Sequence, residues 1–117
     1  MSRKLRNYLR THRRRHDLSQ EDLAFLLGIK NRTTISRYEL FQREPDLKTA
    51  LALQAVLGIP VTELFAGIYE HVEKETAKRA KILIGRREGQ TLGKKSSRKA
   101  DLLRAIAITP DINKENI

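Results

Sequence analysis

The stretch from Asn31 to Arg37 holds the most specific hydrogen-bonding chemistry in the chain. A helix that turned Ile35 and Tyr38 inward would leave Asn31, Arg32, Thr33, Ser36 and Arg37 on its outer face. Amide, hydroxyl and guanidinium groups of this kind are the donors and acceptors that read base edges. Other constellations offer less. His12 and His16 stand four apart, a spacing at which a helix brings two imidazoles onto one face, but no third metal ligand accompanies them. They are read as core or surface histidines. Glu70-His71 and Glu73 to Glu75 hold acid and base types together, and are read as a solvated helix face. No glycine-rich phosphate loop, nucleophile elbow or paired-carboxylate arrangement is visible. The chain has no cysteine, which excludes disulfides, thiolate metal sites and a thiol nucleophile. The expectation is a non-enzyme with no catalytic residue, cofactor or metal.

The charge balance favours a polyanionic partner. Lys and Arg number 24 against 14 acids, for a formal charge of +10. Such an excess attracts nucleic acid or an anionic membrane and bears on partners rather than on fold. No run approaches the roughly 20 apolar residues of a spanning helix, and the basic N-terminus lacks the apolar stretch of a signal peptide. The 39 % hydrophobic share suffices for a small helical core.

Helical periodicity organises the first two-thirds of the chain. A first helix is expected from about Arg3 to His16, with Leu5 and Leu9 on one face and Tyr8 beside them. Ser19 is a good N-cap for a second helix whose first turn holds Gln20, Glu21 and Asp22. Asp22 stands where a capping box would prefer Glu, so the box is expected to be imperfect. Leu23, Leu26 and Leu27 form the expected buried stripe, and Gly28 the stop. A third helix runs from near Asn31–Thr33 to about Leu40. After a loop ending at Pro45, Leu47, Ala50, Leu51, Leu53 and Leu57 recur at helical spacing, and Thr62 is the expected cap of a short fifth helix. Phe25, Tyr38 and Phe65 are all expected to be buried.

The segment from Leu18 to Ile29 (Leu-Ser-Gln-Glu-Asp-Leu-Ala-Phe-Leu-Leu-Gly-Ile) resembles the Cro/repressor-type, XRE-like helix-turn-helix family. So do Thr34-Ile35-Ser36-Arg37-Tyr38-Glu39, Pro45, Leu53, Leu57-Gly58-Ile59 and Leu64-Phe65. The resemblance covers roughly residues 5 to 66, and its strength lies in several signatures recurring in order. It implies an all-α, five-helix, lambda-repressor-like domain with an added C-terminal helix and a basic tail. In this family the third helix enters the major groove. Carried over residue by residue, Gln20 matches a phosphate-gripping position. Arg32 and Thr33, with Asn31 just before them, match the leading base-contact positions, and Thr34 is counted with them among the DNA-binding residues. Ser36 and Arg37 follow on the same outer face, and Arg43 in the next loop is a phosphate candidate. Arg13 and Glu39 match a family ion pair that fixes the angle of the third helix. From Gly28 to Ile35 the chain is one residue longer than the family pattern, the addition falling among Ile29 to Thr33.

These readings divide the chain into a DNA-binding domain over residues 1–66, an additional helix and dimer-contact candidate over 67–85, and a flexible basic tail over 86–117 with a short helical candidate at 98–108. The fifth helix and Ile68 to Leu83 are the candidate dimer surface. The expected function is sequence-specific binding of double-stranded DNA by a cytoplasmic transcriptional regulator, nucleoid-associated when bound. It would be a repressor acting as a homodimer on an inverted repeat. The alternative is an antitoxin-like DNA-binding protein whose C-terminal tail holds a partner protein. An RNA-binding or architectural protein is a third class, disfavoured because only three Phe and three Tyr are present to stack bases.

Overall fold

The computed structural model describes residues 7–87 and 94–115. Among them every regular element is an α-helix: α1 (Leu9–Arg15), α2 (Gln20–Leu26), α3 (Arg32–Glu39), α4 (Leu47–Leu57), α5 (Val61–Leu64), α6 (Ala66–Arg87) and α7 (Lys94–Glu115). Two compact units result, Met1–Tyr69 and Glu70–Ile117. No helix among the described residues is long and apolar enough to cross a membrane.

The first unit closes around Leu9, Leu23, Ala24, Ile35, Tyr38, Leu53, Leu57, Leu64 and Phe65. Its helices stop abruptly, and local chemistry explains where. Ser19 Oγ accepts the Asp22 amide at 2.9 Å while the Asp22 carboxylate accepts the Ser19 amide at 3.0 Å. The shorter Asp therefore closes the box that the sequence pattern led one to expect imperfect. Asp46 caps α4 by accepting the Thr49 amide at 2.8 Å. At the other ends, Asp17, Gly28 and Phe41 take positive φ of 55°, 71° and 62°. In each case the next amide reaches back over the last turn, Leu18 to Arg13, Ile29 to Ala24 and Gln42 to Arg37, satisfying carbonyls that the helix leaves open. Gly28 adopts this backbone without a Cβ penalty.

Several expectations are corrected. The first helix starts at Leu9, not near Arg3; Arg3 to Arg6 themselves lie outside the described residues. The Tyr8 amide donates to the Leu64 carbonyl at 2.7 Å, so it is spent on a distant segment instead of the preceding turn. Asn7 Nδ2 donates to the Tyr38 carbonyl while its Oδ1 accepts the Leu9 amide, both at 2.8 Å. Phe25 is 83 % exposed and Leu26 52 %, because Leu23, Ala24 and Leu27 share the inward sector of the helical wheel and Phe25 and Leu26 fall on its other side. Leu47 and Leu51 are exposed for the same reason, α4 burying Ala50, Leu53 and Leu57 instead. The fifth helix is preceded by Pro60 as its cap, with Thr62 inside it.

In the second unit Ala80, Leu103 and Ala107 pack together, flanked by Leu83, Ile84 and Ile106. Small alanines let helices approach closely, at the cost of apolar area. α7 extends past both ends of the stretch 98–108. From Lys94 to Lys99 there is no apolar side chain and hence no periodicity to read. The centre of the preceding linker, 88–93, lies outside the described residues.

Candidate nucleic-acid interface

α2 and α3 cross with a short turn between them, and α3 also packs on α1. Ile35 is fully buried and Tyr38 nearly so, which fixes the rotation of α3 about its own axis. Arg32, Thr33 and Arg37 are consequently exposed, while Thr34 and Ser36 are half-buried at the margins of that face. Arg43 is exposed in the loop that follows. Of the residues singled out from the sequence, Asn31, Arg32, Thr33, Thr34, Ser36 and Arg37 thus belong to the start and outer side of one helix.

Asn31 has a structural occupation. It is the N-cap of α3, and its Oδ1 accepts the Thr33 amide at 2.8 Å. The bidentate pairing of an Asn with adenine needs both a donor and an acceptor, and the acceptor here is turned back on its own helix. Arg32 is therefore the first α3 side chain free to project outward. This placement assigns the longer turn: Gly28 closes α2, Ile29 packs against the core, Asn31 caps α3, and Lys30 stands between them, exposed.

The orientation of α3 is held at its far end by a buried polar network. Arg13 Nε donates to Glu39 Oε2 at 2.6 Å and Arg13 Nη2 to Glu39 Oε1 at 3.3 Å. The two side chains are 10 % and 4 % exposed. Arg13 Nη1 donates to the Leu18 carbonyl at 2.7 Å, and Gln20 Nε2 donates to Glu39 Oε1 at 3.1 Å. One carboxylate thereby joins α1, the start of α2 and the end of α3. The guanidinium fork matches a carboxylate in two bonds, which constrains angle as well as distance. Gln20, half-buried, has its amide nitrogen committed to this network.

Neighbouring electrostatics preserve the caps at neutral pH. The Asp22 carboxyl is held below its ordinary pKa, first by the Ser19 amide and then by its hydroxyl. Asp46 is lowered chiefly by its hydrogen bonds to Thr49, with Arg43 and Lys48 assisting. His16 Nδ1 bonds the His12 carbonyl at 2.9 Å, tying that ring to its own helix. Among the described residues no group of three His, Asp or Glu is arranged to hold a metal.

Phe25 was expected in the core, and its exposure is the main surface feature that periodicity did not disclose. It lines an open groove with Glu21, Ala24, Ile29, Lys30, Asn31 and Arg32. Periodicity does not single out Lys30 either; the extra residue between Gly28 and Ile35 is its signal in the sequence.

Comparison with known proteins agrees with this geometry. A helix-turn-helix family model matches residues 9–64, from the start of α1 to the end of α5. An uncharacterised helix-turn-helix-type transcriptional regulator of Methanocaldococcus jannaschii is 38 % identical over 69 residues, which cover 59 % of this chain and 100 % of the relative.

Proposed function

This chain belongs to the XRE-type helix-turn-helix family, and we propose that it is a transcriptional regulator that binds double-stranded DNA sequence-specifically. The observation that carries the reading is α3, whose apolar side is locked into the core by Ile35 and Tyr38 while Arg32, Thr33 and Arg37 face solvent. In the proposed complex this face enters the major groove, Arg32 and Arg37 read bases, and Thr33, Thr34 and Ser36 supply shorter hydrogen bonds. Asn31 caps the helix and offers its amide donors at the groove. Arg43 and the start of α2 at Gln20 meet phosphates. The activity is binding rather than catalysis, and the proposed setting is the cytoplasm, on the nucleoid when bound.

A domain this small covers little DNA, so we assign it a homodimeric, repressive mode on an inverted repeat with half-sites roughly 34 Å apart. Leu64 and Phe65 are spent on the domain's own core. The dimer contact is therefore assigned to α6, where Val72 is 50 % exposed. A second reading, an antitoxin-like protein whose C-terminal helix binds a partner protein, is favoured by Leu102 and Ile108, which are 61 % and 53 % exposed on α7.

Selection from random duplex DNA tests the main reading. The expected result is an enriched inverted repeat whose discrimination falls by about 1–3 kcal/mol on Arg32→Ala, the worth of a bidentate guanine contact. Absence of any enriched motif, with binding that collapses as salt rises, would overturn it in favour of sequence-independent attraction.

A further inference from the structure

We propose that Lys30 is a phosphate-contacting residue, added to the DNA interface by the lengthened turn between α2 and α3. The inference rests on the reading of the α3 face as DNA-binding and deepens it. Every other residue of the turn has a structural task. Gly28 supplies the left-handed backbone that ends α2, Ile29 packs on the core, and Asn31 caps α3 through the Thr33 amide. Lys30 has none of these tasks. It is exposed, and among the described residues it has no hydrogen-bond or ion-pair partner. Glu21 lines the same groove without forming an ion pair to it.

Position gives the free ammonium its meaning. Lys30 lines one groove with Asn31 and Arg32, at the end of α3 where base reading is proposed to begin. In the proposed complex, a duplex read by Arg32 brings its flanking phosphates to the same rim. Lysine is a compact, strongly hydrated point charge on a flexible stem, suited to a phosphate and poorly suited to the planar, bidentate recognition of a base that Arg32 can perform. The added residue thus increases affinity and holds the register of α3 without changing the sequence it reads.

The test is quantitative binding of Lys30→Gln and Lys30→Arg to the duplex recovered by selection, as a function of salt, with a panel of single-base variants of that duplex. Lys30→Gln is expected to weaken binding evenly across the panel and to flatten the salt slope by about 0.9, the share of one phosphate. Its deficit relative to the parent then shrinks about three- to fourfold between 50 and 200 mM salt. Lys30→Arg keeps the slope. An unchanged slope in Lys30→Gln, in a protein that still loses discrimination on Arg32→Ala, overturns the assignment while the DNA-binding reading stands. A changed base preference overturns it equally, since Lys30 would then read a base. A parent protein that selects no motif and shows no dependence on Arg32 removes the reading underneath.

Discussion

The two units bury their helices with different side chains. The first encloses Leu9, Leu23, Ile35, Leu53 and Leu64 completely, on five helices that surround one core. The second relies on Ala77, Ala80, Leu103 and Ala107, and leaves Ile82, Leu102 and Ile108 about half or more exposed. Apolar burial stabilises roughly in proportion to area, about 25 cal/mol per Å². Each alanine therefore contributes far less than each leucine, and two helices can cover only one side of each other. The polar groups differ in the same sense. Arg13 and Glu39 are buried together, whereas Lys74–Glu70, Lys78–Glu75 and Arg104–Asp101 are exposed pairs along single helices. Exposed pairs of this kind contribute little to stability, because water and salt screen them. The outer side of α3, proposed above to read DNA, thus stands on the unit with the larger core and the interhelical ion pair.

The largest effect should come from breaking that pair. Glu39→Ala leaves Arg13 buried with only the Leu18 carbonyl as partner, and also frees Gln20. Loss of about 3–5 kcal/mol is expected in chemical denaturation. Wild-type stability in this variant would show that the pair does not stabilise the unit. Next comes a matched pair of core truncations. Leu53→Ala should cost about 2–5 kcal/mol. Leu103→Ala should fall at or below the lower end, because its fully buried neighbours in the cluster are alanines and the larger ones, Leu83, Ile84 and Ile106, are only partly buried. Hydrogen exchange faster in α7 than in α4 would accompany this, and equal protection of the two would break the comparison.

The smallest effect is acid sensitivity confined to the caps of the first unit. Asp22 and Asp46 have lowered folded pKa values. Their contribution is complete above the ordinary carboxylate pKa of about 4 and is lost as the pH falls from there through the lowered folded values. Asn is an equally good cap without a titrating group. Asp46→Asn should therefore retain stability at neutral pH and show a shallower loss of helicity on acidification. An acid profile identical to the parent's would remove Asp46 from this account. Glu75 in the second unit is also lowered, by its hydrogen bond to Lys78, but that pair is surface-exposed and should be suppressed by salt.

What was legible before the structure follows the range of the interactions. Ile35 and Tyr38 announce which side of α3 is inward by their spacing, and Arg32, Thr33 and Arg37 are left outward by subtraction. The Arg13–Glu39 bond spans 26 positions, and no local pattern encodes it. Its anticipation came from family resemblance alone. The same holds for the turn: a count of residues shows that one is extra, but only the cap bond from Asn31 to Thr33 shows that Lys30 is the residue left over.

By itself the sequence determined the helical class, the caps at Ser19, the stop at Gly28 and the core positions Leu23, Ile35, Leu53 and Leu57. Each depends on residues within a turn or two, where backbone sterics and hydrogen bonding act. Tertiary structure alone decided that the first helix begins at Leu9, since the Tyr8 amide is taken by Leu64 and Asn7 by Tyr38. It alone decided that Phe25, Leu26, Leu47 and Leu51 face outward. An apolar side chain records only that it can be buried; whether another helix comes to cover it depends on packing between segments far apart in the chain.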